Sequence, residues 1–474
     1  MPISRRHFIA GTIGTLTAAG TTGAANTTMP SLSFVLGNKI PSLSINKNMI
    51  GLSFEKNILR ASLDVFSGTR SEYFADTLKY LGQGILRFGG ATVEYTGWQI
   101  KATGDSSAVT TARVDELAAF VQKINWQVIY GVSFKSKSLA QIVDEVAYVK
   151  AKFGPHLHSI ELGNEPNYSY KTIDLYLTRW HEIVGAIRAV FPNIVFLGPA
   201  TSYATTAWLE PFAERTDRAL YLSQHYYRGS GKDTASTAKK LLYDDSNFSD
   251  LLKLGTSLAR AHGKLGFVLD EVNSFGGGGT PGVSDTFASS LWAAKTLATA
   301  SSHGCVGVAF HGGGTAAYTP IEFVDPKGMT TIRPAYFGLL LYSEFRNDYH
   351  CAYQALSSPH DHLKIFVSCN EHSDDKRVML INQSFDTDFN CIISNLSAMK
   401  YIMIDLKAPD IASKIDISFA GEIFSYQLDI SKIAKPNSHS VSYETLAPIS
   451  PNSDRSITLT VPKLSAVVLK PINS

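Results

Sequence analysis

Two glutamates at the ends of apolar segments are the residues of this sequence best suited to do chemistry. Glu165 follows the segment HSIELGN (158–164) and precedes Pro166, and Glu271 ends the segment KLGFVLDE (264–271). Two carboxyl groups that face each other can cleave a glycosidic bond with retention, one protonating the leaving oxygen while the other attacks the anomeric carbon. A lone Glu at the start of a loop is more often a surface charge, so this interpretation depends on a fold that brings the two together.

Segments of the same kind recur along the chain and predict that fold. Eight short apolar segments alternate with helical patterns, at 48–55, 84–90, 127–134, 158–164, 194–200, 219–227, 264–271 and 304–311. Uninterrupted apolar runs are typical of parallel strands that are buried on both faces. Eight such units predict an α/β protein with a (β/α)8 TIM barrel over residues 47–346. A doubly wound open sheet is the alternative, but it usually has fewer units and a glycine-rich phosphate loop after its first strand.

The ends of the predicted strands define the expected site. Active sites of such barrels lie at the C-terminal ends of the strands. Glu165 and Glu271 come at the ends of the fourth and seventh predicted strands, so their carboxyl groups can face each other across the mouth of the barrel. Pro166 disfavours helical backbone in the residue before it, so we expect Glu165 to be extended and to project into the mouth.

The two ends of the chain differ from this pattern. Residues 347–474 consist of short strand-like segments separated by turn residues, which predicts a C-terminal β-sandwich. Residues 29–46 are also strand-like and could join that sandwich. Residues 1–28 carry Arg5 and Arg6 ahead of a weakly apolar stretch and small residues, which predicts a twin-arginine export signal and a periplasmic or secreted bacterial protein. A disordered basic tail is the alternative to this export signal. In the C-terminal part, Cys369 and Cys391 lie in neighbouring predicted strands and could approach one another.

Composition excludes several classes of protein. The chain has 474 residues, of which 44% are hydrophobic and 18% charged, and this is ordinary for a globular protein. With 43 Lys+Arg against 41 Asp+Glu, a formal net charge of +2 provides no field that attracts nucleic acid or an anionic membrane. No run of ~20 apolar residues predicts a membrane span after the leader. Four cysteines without a C-x-x-C pair also argue against a thiolate metal site.

Four segments within the predicted barrel resemble a known family. They are LRFGG (86–90), IELGNEPNYSY (160–170), HYY (225–227) and DEVNSFGGGGTPGVSDTFASSLWAAK (270–295). LGNEPN with a later Glu at a strand end is similar to the large clan of retaining (β/α)8 glycoside hydrolases, and the four segments together resemble glycoside hydrolase family 79, the heparanase and β-glucuronidase family. The resemblance covers most of residues 48–346, and it implies that Glu165 is the general acid/base and Glu271 the nucleophile.

The same resemblance implies residues that bind the sugar. Asn164 matches an asparagine that contacts the sugar 2-hydroxyl, Tyr226 a tyrosine that holds the nucleophile as a carboxylate, and Glu55 an acidic residue that binds sugar hydroxyls. No metal and no organic cofactor are implied.

A uronic acid also needs donors for its own carboxylate. Successive backbone N–H groups bind anions, and the run 276–279 consists of four glycines. By resemblance, Gly277 and Gly278 take this part together with the hydroxyl of Tyr318, and His311, which ends the eighth predicted strand, is a further pocket residue. The alternatives are a flexible loop for the glycines and a core histidine for His311.

The resemblance therefore implies a retaining hydrolase of β-glucuronide linkages in oligo- or polysaccharides, with heparan sulfate as one candidate substrate. Cleavage within a chain and removal of a terminal glucuronic acid are both open. One alternative is a retaining hydrolase of a neutral glycoside, such as an arabinoside, xyloside or glucoside. Another, from a different class, is a barrel that binds carbohydrate without cleaving it.

Overall fold

A computed structural model describes residues 29–60, 66–99, 108–135, 137–322, 330–358, 360–373, 375–396, 400–424, 443 and 446–472. The predicted export signal, residues 1–28, lies outside the described residues. The strands up to residue 332 are β1 Ser31–Ser44, β2 Ile50–Glu55, β3 Ile85–Gly89, β4 Gly97–Gln99, β5 Ala108–Thr110, β6 Gln127–Val132, β7 Leu157–Leu162, β8 Phe196–Thr201, β9 Leu220–Tyr227, β10 Gly266–Asn273, β11 Gly307–Gly312, β12 Ile321–Glu322 and β13 Thr331–Ile332. The later strands are β14 Tyr349–Ala355, β15 Leu363–Cys369, β16 Lys376–Asn382, β17 Phe389–Ser394, β18 Lys400–Lys407, β19 Ile417–Phe419, β20 Glu422–Phe424, β21 Ile457–Val461 and β22 Ser465–Ile472. The helices are α1 Gly68–Lys79, α2 Thr111–Ile124, α3 Leu139–Phe153, α4 Ile173–Val190, α5 Leu209–Arg215, α6 Ala238–Leu242, α7 Ser246–Ala261, α8 Phe287–Ser302 and α9 Pro334–Phe345.

Eight of these strands close into a barrel. Around it the order is β2, β3, β6, β7, β8, β9, β10 and β11, and every neighbouring pair is parallel. Each strand overlaps one of the eight apolar segments, so the predicted TIM barrel is confirmed. The helices pack their apolar sides on its outer face; α4, for example, buries one stripe of residues made of Tyr176, Leu177, Trp180, Ile183, Val184 and Ile187.

The lower part of the barrel is filled by one apolar layer, made of Ile85, Ile129, Leu197 and Val268. Ile129, Leu197 and Val268 come from the alternate strands β6, β8 and β10, as expected for the interior of such a barrel, and Ile85 joins them from β3. By contrast, Leu269 and Val272 of β10 belong to the larger core that includes the surrounding helices. The side chains of β10 therefore point alternately into the barrel and toward the helices, up to the point where the strand becomes irregular.

That irregularity is a bulge just before the predicted nucleophile. Between Val268 and Glu271 the strand advances three residues, while its partner β9 advances two, from Ser223 to His225. A bulge inserts an extra residue and re-aims the side chains beside it. As a result Asp270 and Glu271, although consecutive, both face the barrel interior, where each lies near the imidazole of His225.

The second part of the fold is a ten-stranded, mostly antiparallel sheet that forms the predicted β-sandwich. Its strand order is β20-β19-β18-β22-β16-β15-β14-β1-β17-β21. The N-terminal strand β1 belongs to this sheet, antiparallel to β14 and parallel to β17. Side chains of β16, β18 and β22 share one core with α9, so the sheet packs directly against the barrel. Of the segments predicted as sandwich strands, residues 425–442 and 444–445 lie outside the described residues.

The expected approach of Cys369 and Cys391 is wrong. Cys369 forms a disulfide with Cys351, which joins β15 to β14, and Cys391 is free and buried in β17. Their strands, β15 and β17, are not neighbours in this sheet, because β14 and β1 lie between them. None of the helices in the described ranges is long and apolar enough to cross a bilayer.

Candidate active site

Glu165 lies in the loop that leaves β7, and its backbone is unusual. Its φ of 44° and ψ of 56° place it in the left-handed region, so the expectation of an extended Glu165 before Pro166 is wrong. Pro166 disfavours right-handed helical backbone in the residue before it, and Glu165 avoids that region by taking left-handed instead of extended backbone. The Glu165 N–H is held by the carbonyl of Ala200, at 3.0 Å. A non-glycine residue held in this region costs free energy, and such residues concentrate at functional sites.

The fold brings the two predicted carboxyl groups together. One carboxylate oxygen of Glu165, one of Glu271 and a ring nitrogen of His225 all lie within 4.8 Å of one another. His225 Nδ1 is 3.0 Å from Glu165 Oε1 and 3.8 Å from Glu271 Oε1. The side chain of Glu271 is 9% exposed and that of Glu165 is 23% exposed, so both carboxyl groups can be reached from the mouth of the barrel.

Arg87, on β3, connects the residues beneath this pair. Its Nε and Nη2 donate to the two carboxylate oxygens of Glu161, at 2.8 and 2.6 Å. Its Nη1 donates to Glu271 Oε2 at 2.7 Å and to Ser53 Oγ at 3.0 Å, and its Nη2 also donates to Asn164 Oδ1 at 2.8 Å. Burial opposes the charge of this guanidinium, but Glu161 and Glu271 raise the pKa of Arg87 well above its ordinary value. The arginine therefore stays charged and fixes the side chain of Asn164 and the carboxylates of Glu161 and Glu271.

The two glycines of LRFGG make room for this arrangement. A Cβ on Gly89 would come within 2.8 Å of the Arg87 guanidinium and of Glu161 Oε1, and a Cβ on Gly90 would lie 2.5 Å from the carboxyl carbon of Glu55. Gly90 also has a φ of 68°, which other residues rarely adopt. The segment is thus shaped by the charged side chains that pack over it.

The surroundings of Glu271 keep it ionised. Burial would raise its pKa, but the nearby side chains of His311, His225 and Arg87, together with a hydrogen bond from Tyr227, hold the pKa of Glu271 well below its ordinary value. The distance from Tyr227 Oη to Glu271 Oε1 is 2.7 Å. A carboxylate that is unprotonated and fixed in this way is suited to act as a nucleophile.

His225 is the cationic counterpart of these carboxylates. Burial would lower its pKa, but Glu271, the hydrogen bond to Glu165 and the charge of Asp270 raise the pKa of His225 to about 9. Asp270 itself is fully buried, and its oxygens have no hydrogen-bond partner among the described residues; His225 Nε2 lies 4.0 Å from its Oδ1. Deeper still, burial raises the pKa of Glu161 to about 7 against the opposing charge of Arg87.

Asn164 and Glu55 both lie at the mouth. The amide oxygen of Asn164 accepts from Arg87, and its amide nitrogen has no partner within the described part of the chain, so it can donate to a ligand. The Glu55 carboxylate accepts from the N–H and the hydroxyl of Thr92, at 2.8 and 2.6 Å. His311 lies between the two acids, with Nε2 3.7 Å from Glu55 Oε1 and Nδ1 3.7 Å from Glu271 Oε2. His311 is itself buried, and its Nδ1 also lies 3.0 Å from Ser53 Oγ.

The role expected of Tyr226 passes to its neighbour. The Tyr226 hydroxyl donates to Asp245 Oδ2 at 2.7 Å, at the start of α7, and its ring packs against Phe248. Tyr227 makes the contact with Glu271 instead. Successive side chains of a strand point to opposite faces, so of these two tyrosines only the one with the parity of His225 faces the mouth.

The glycine loop lies beside the same site. Gly277, Gly278 and Gly279 have φ values of 75°, 98° and 85°, a run of left-handed backbone for which glycine is strongly favoured. No acceptor for the N–H groups of Gly277 and Gly278 is found among the described residues. Tyr318 is buried next to them, its N–H bonded to the Gly278 carbonyl at 3.4 Å, and its ring 6.3 Å from that of Tyr227 and 6.1 Å from that of His311.

Glu165, His225 and Glu271 also have the types and spacing of metal ligands. A metal-binding imidazole has to give up its proton, and the raised pKa of His225 favours the protonated form. Together with the hydrogen bonds from Tyr227 and Arg87 that occupy both oxygens of Glu271, this makes the cluster better suited to acid–base chemistry than to metal binding.

The contacts that three residues make in the site, Arg87, His225 and Tyr227, were not predicted from the sequence. Arg87 is the only charged residue of the otherwise apolar β3, and a buried Arg is rarely unpaired; that combination was a usable signal. His225 and Tyr227 lie in the HYY segment, but nothing in the sequence alone indicates which of its residues face the mouth.

No protein-family profile matches the sequence, and a search of curated proteins finds no significant match. Solved structures with the same fold do exist. The chain is similar to a 4-O-α-L-rhamnosyl-β-D-glucuronidase from Fusarium oxysporum 12S in complex with Rha-GlcA, with a TM-score of 0.71 and 19% identity over 93% of this chain and 100% of that chain. It is also similar to a family 51 α-L-arabinofuranosidase from Bifidobacterium longum (TM-score 0.67, 13% identity, 94% and 100% covered) and to an α-L-arabinofuranosidase from Thermotoga maritima in complex with arabinose (0.66, 15%, 93% and 99%). At these identities the similarity shows a common fold of barrel and attached sheet.

Proposed function

We propose that this chain is a retaining glycoside hydrolase that cleaves β-glucuronides, with Glu165 as general acid/base and Glu271 as nucleophile. The observation that carries the proposal is the approach of their carboxylate oxygens to within 4.8 Å. Inverting glycosidases keep their two carboxyl groups about 6.5–9.5 Å apart to make room for a water molecule, whereas retaining enzymes keep them about 5–5.5 Å apart. The spacing therefore favours direct attack by Glu271.

In the first step, a carboxylate oxygen of Glu271 forms a bond to the anomeric carbon while the bond to the leaving oxygen breaks. Glu165 donates its proton to that oxygen, so the leaving group departs as a neutral alcohol. Tyr227 and Arg87 each donate to one oxygen of Glu271, which orients the carboxylate and keeps it ionised until it attacks. The amide nitrogen of Asn164 donates to the sugar 2-hydroxyl.

In the second step, Glu165 is a carboxylate and takes a proton from a water molecule. The water oxygen bonds to the anomeric carbon as the ester bond to Glu271 breaks, which restores both carboxyl groups. His225 contacts both of them, at 3.0 Å from Glu165 Oε1 and 3.8 Å from Glu271 Oε1. Its positive charge offsets the negative charge that moves between the two residues in the cycle.

The preference for a uronic acid is supported by the glycine loop. The free N–H groups of Gly277 and Gly278 can bind a carboxylate on the side of the site where Tyr318 lies. The resemblance of the sequence to glycoside hydrolase family 79 supports the same substrate, and one similar solved structure is a glucuronidase.

A neutral pentoside is the second candidate, because two of the similar structures are arabinofuranosidases. The Glu55 carboxylate at the mouth, close to His311, would bind the hydroxyls of either sugar. The candidates differ in their need for the glycine loop, since an arabinofuranoside carries no carboxylate to bind there.

Hydrolysis of p-nitrophenyl β-glucuronide compared with p-nitrophenyl α-L-arabinofuranoside, β-xyloside and β-glucoside tests the proposal. We expect the glucuronide to have the largest kcat/KM, and the anomeric configuration to be retained in the first-formed product. A larger kcat/KM for a neutral glycoside would contradict the glucuronide assignment.

Glu271→Gln should abolish turnover while binding of a glucuronide is kept; wild-type turnover in that variant would exclude Glu271 as the nucleophile. Sizing the products from heparan sulfate then separates endo from exo cleavage.

A further inference from the structure

A cavity shares Tyr227 with the candidate active site and reaches Tyr203, in the loop after β8. Its volume is about 620 Å³, within the range of sites that bind small molecules. Its wall includes Tyr203, Thr206, Tyr227, Asn247, Leu251 and Leu254. These residues come from the loop after β8, the end of β9 and the helix α7. None of them has a role in the mechanism above apart from Tyr227.

The loop that carries Tyr203 is fixed to the loop that carries Glu165. The Glu165 N–H donates to the carbonyl of Ala200 at 3.0 Å. Asn167, two residues after Glu165, donates from Nδ2 to Ser202 Oγ at 2.9 Å and accepts at Oδ1 from the Ser202 N–H at 3.0 Å. These hydrogen bonds join the two loops, and they therefore fix the position of Tyr203 relative to Glu165, the proton donor.

Tyr203 also continues an aromatic surface that begins at the nucleophile. The Tyr227 hydroxyl touches Glu271, and the Tyr227 ring meets that of Tyr203 edge to face, with centroids 6.2 Å apart and an interplanar angle of 74°. Tyr203 is nevertheless 41% exposed. An aromatic ring that is fixed in place but keeps an open face is the kind of surface on which the apolar face of a sugar packs.

We infer that Tyr203 and the cavity beside it form the subsite for the leaving group, and that this subsite takes an uncharged sugar residue. The inference rests on the proposed function, because Glu165 protonates the leaving oxygen and the leaving group must then lie on the Glu165 side of the scissile bond. The glycine loop, Glu55 and His311 surround the other side, where the glucuronic acid binds.

The charges around the cavity determine which leaving group fits. Arg228 Nη1 is 2.8 Å from Asp245 Oδ2, and Lys240 Nζ is 3.3 Å from Asp233 Oδ2. Asp250 is 3.5 Å from the Nζ of Lys253. Since each charged side chain of the cavity wall already has a partner of opposite sign, a sulfate or carboxylate would have to break an ion pair to be bound. The hydroxyl of Thr206 and the side-chain amide of Asn247 provide polar groups for the hydroxyls of a neutral sugar.

Two β-glucuronides that differ only in the leaving group test the inference. One is methyl β-glucuronide and the other is a disaccharide of glucuronic acid β-linked to galactose. In Tyr203→Ala, we expect the ratio of kcat/KM for the disaccharide to kcat/KM for the methyl glycoside to fall about fivefold, as for the loss of one aromatic contact. Tyr203→Phe, which keeps the ring, should retain the ratio of the wild type.

Tyr73→Ala is the matched control, because Tyr73 is a similarly exposed tyrosine (49%) on the outer helix α1. In Tyr73→Ala, the ratio of kcat/KM for the disaccharide to kcat/KM for the methyl glycoside should equal that of the wild type. Thr206→Trp fills the cavity without removing Tyr203, and it should lower the ratio in the same direction even if Tyr203→Ala fails to fold. An unchanged ratio in folded Tyr203→Ala or in folded Thr206→Trp overturns the subsite.

A third substrate, the same disaccharide with a sulfate on galactose, tests the charge argument. We expect its kcat/KM to be lower than that of the uncharged disaccharide, and the opposite preference overturns the assignment of an uncharged leaving group. Failure of the proposed function has a different signature, namely that the wild type cleaves neither glucuronide but does cleave a neutral glycoside. The subsite is then tested on the methyl glycoside and the disaccharide of that sugar, with the same variants.

Discussion

The hydroxyl of Tyr227 donates to Glu271 Oε1 at 2.7 Å, whereas the hydroxyl of Tyr226, one residue earlier, donates to Asp245 Oδ2 on the opposite face of β9. The two phenols are chemically the same, and each donates one hydrogen bond to a carboxylate. Both have a pKa raised well above the ordinary value by burial and by that nearby carboxylate. Only the first contacts a reacting group. This pair therefore provides a test of the site in which one substitution is the control for the other.

We expect Tyr227→Phe to lower kcat about 10- to 100-fold, because a hydrogen bond to a charged acceptor contributes on the order of 1.5–3 kcal/mol. Tyr226→Phe should lower the free energy of unfolding by a similar amount without changing kcat of the folded enzyme. Steady-state kinetics and urea denaturation of both variants provide the measurement. Equal kcat values for the two variants would show that Tyr227 has no part in the reaction.

Arg87 should be irreplaceable by lysine. It makes two parallel hydrogen bonds to Glu161 and a third to Glu271, and an ammonium group cannot reproduce this geometry. We expect Arg87→Lys to lower kcat/KM at least about 100-fold, and Arg87→Met to destabilise the fold by about 3–5 kcal/mol because Glu161 stays buried without its partner. Arg188→Lys is the control, since Arg188 contacts both oxygens of Asp217 at the surface. A comparable loss of activity in Arg188→Lys would mean that the effect of Arg87 is not specific to the site.

His225 should make the stability of the protein depend on pH in the alkaline range. Its pKa is raised from 6.5 to about 9. A histidine with a higher pKa in the folded state contributes stability that is complete below about pH 6.5 and is lost as the pH rises through about 9. Urea denaturation at pH 6 and pH 9.5 should show a loss of up to about 3 kcal/mol in the wild type from this group, and a smaller loss in His225→Gln. The same loss in both proteins would contradict a protonated His225, as would an unchanged His225 titration by NMR in Glu271→Gln.

The disulfide between Cys351 and Cys369 closes a loop of sequence separation 18. For a loop of this size, we expect its removal to cost about 3 kcal/mol of stability. A reductant should lower the Tm of the wild type but not that of the Cys351→Ser/Cys369→Ser variant, and the reduced wild type and the variant should unfold alike. No effect of the reductant on the wild type would mean that the two thiols do not pair. Disulfides persist in oxidising compartments, which agrees with the predicted export signal.

Apolar runs predicted the barrel because that information is local. Each barrel strand is a short hydrophobic segment, and Glu165 and Glu271 were found as the acids at two strand ends. What could not be predicted depends on contacts across the barrel. The carboxylates that pair with Arg87 lie 74 and 184 residues away along the chain, and no local sequence pattern indicates that they are its partners.

The choice between Tyr226 and Tyr227 failed for a related reason. A shift of one residue along a strand exchanges its two faces, so the assignment needs the exact pairing of β9 with its neighbours. The left-handed backbone of Glu165 also depends on another strand, since the carbonyl of Ala200 holds its N–H. Strand β14 was not predicted, because its half with Ala352, Tyr353 and Gln354 is exposed and has no apolar alternation.

The bulge in β10 links the chemistry of the site to the way the chain finds its register. If β10 paired regularly from Val268 onward, Glu271 would turn toward the helices and Val272 would take its place in the mouth. The carboxylate would then be buried among apolar side chains without Arg87, at a cost of several kcal/mol. The register without the bulge is therefore excluded by the free-energy cost of burying an unpaired carboxylate, and not by steric misfit. The ion pair between Arg87 and Glu271 forms only in the register that contains the bulge. A barrel that has folded in this register therefore already holds its nucleophile as a fixed, ionised carboxylate.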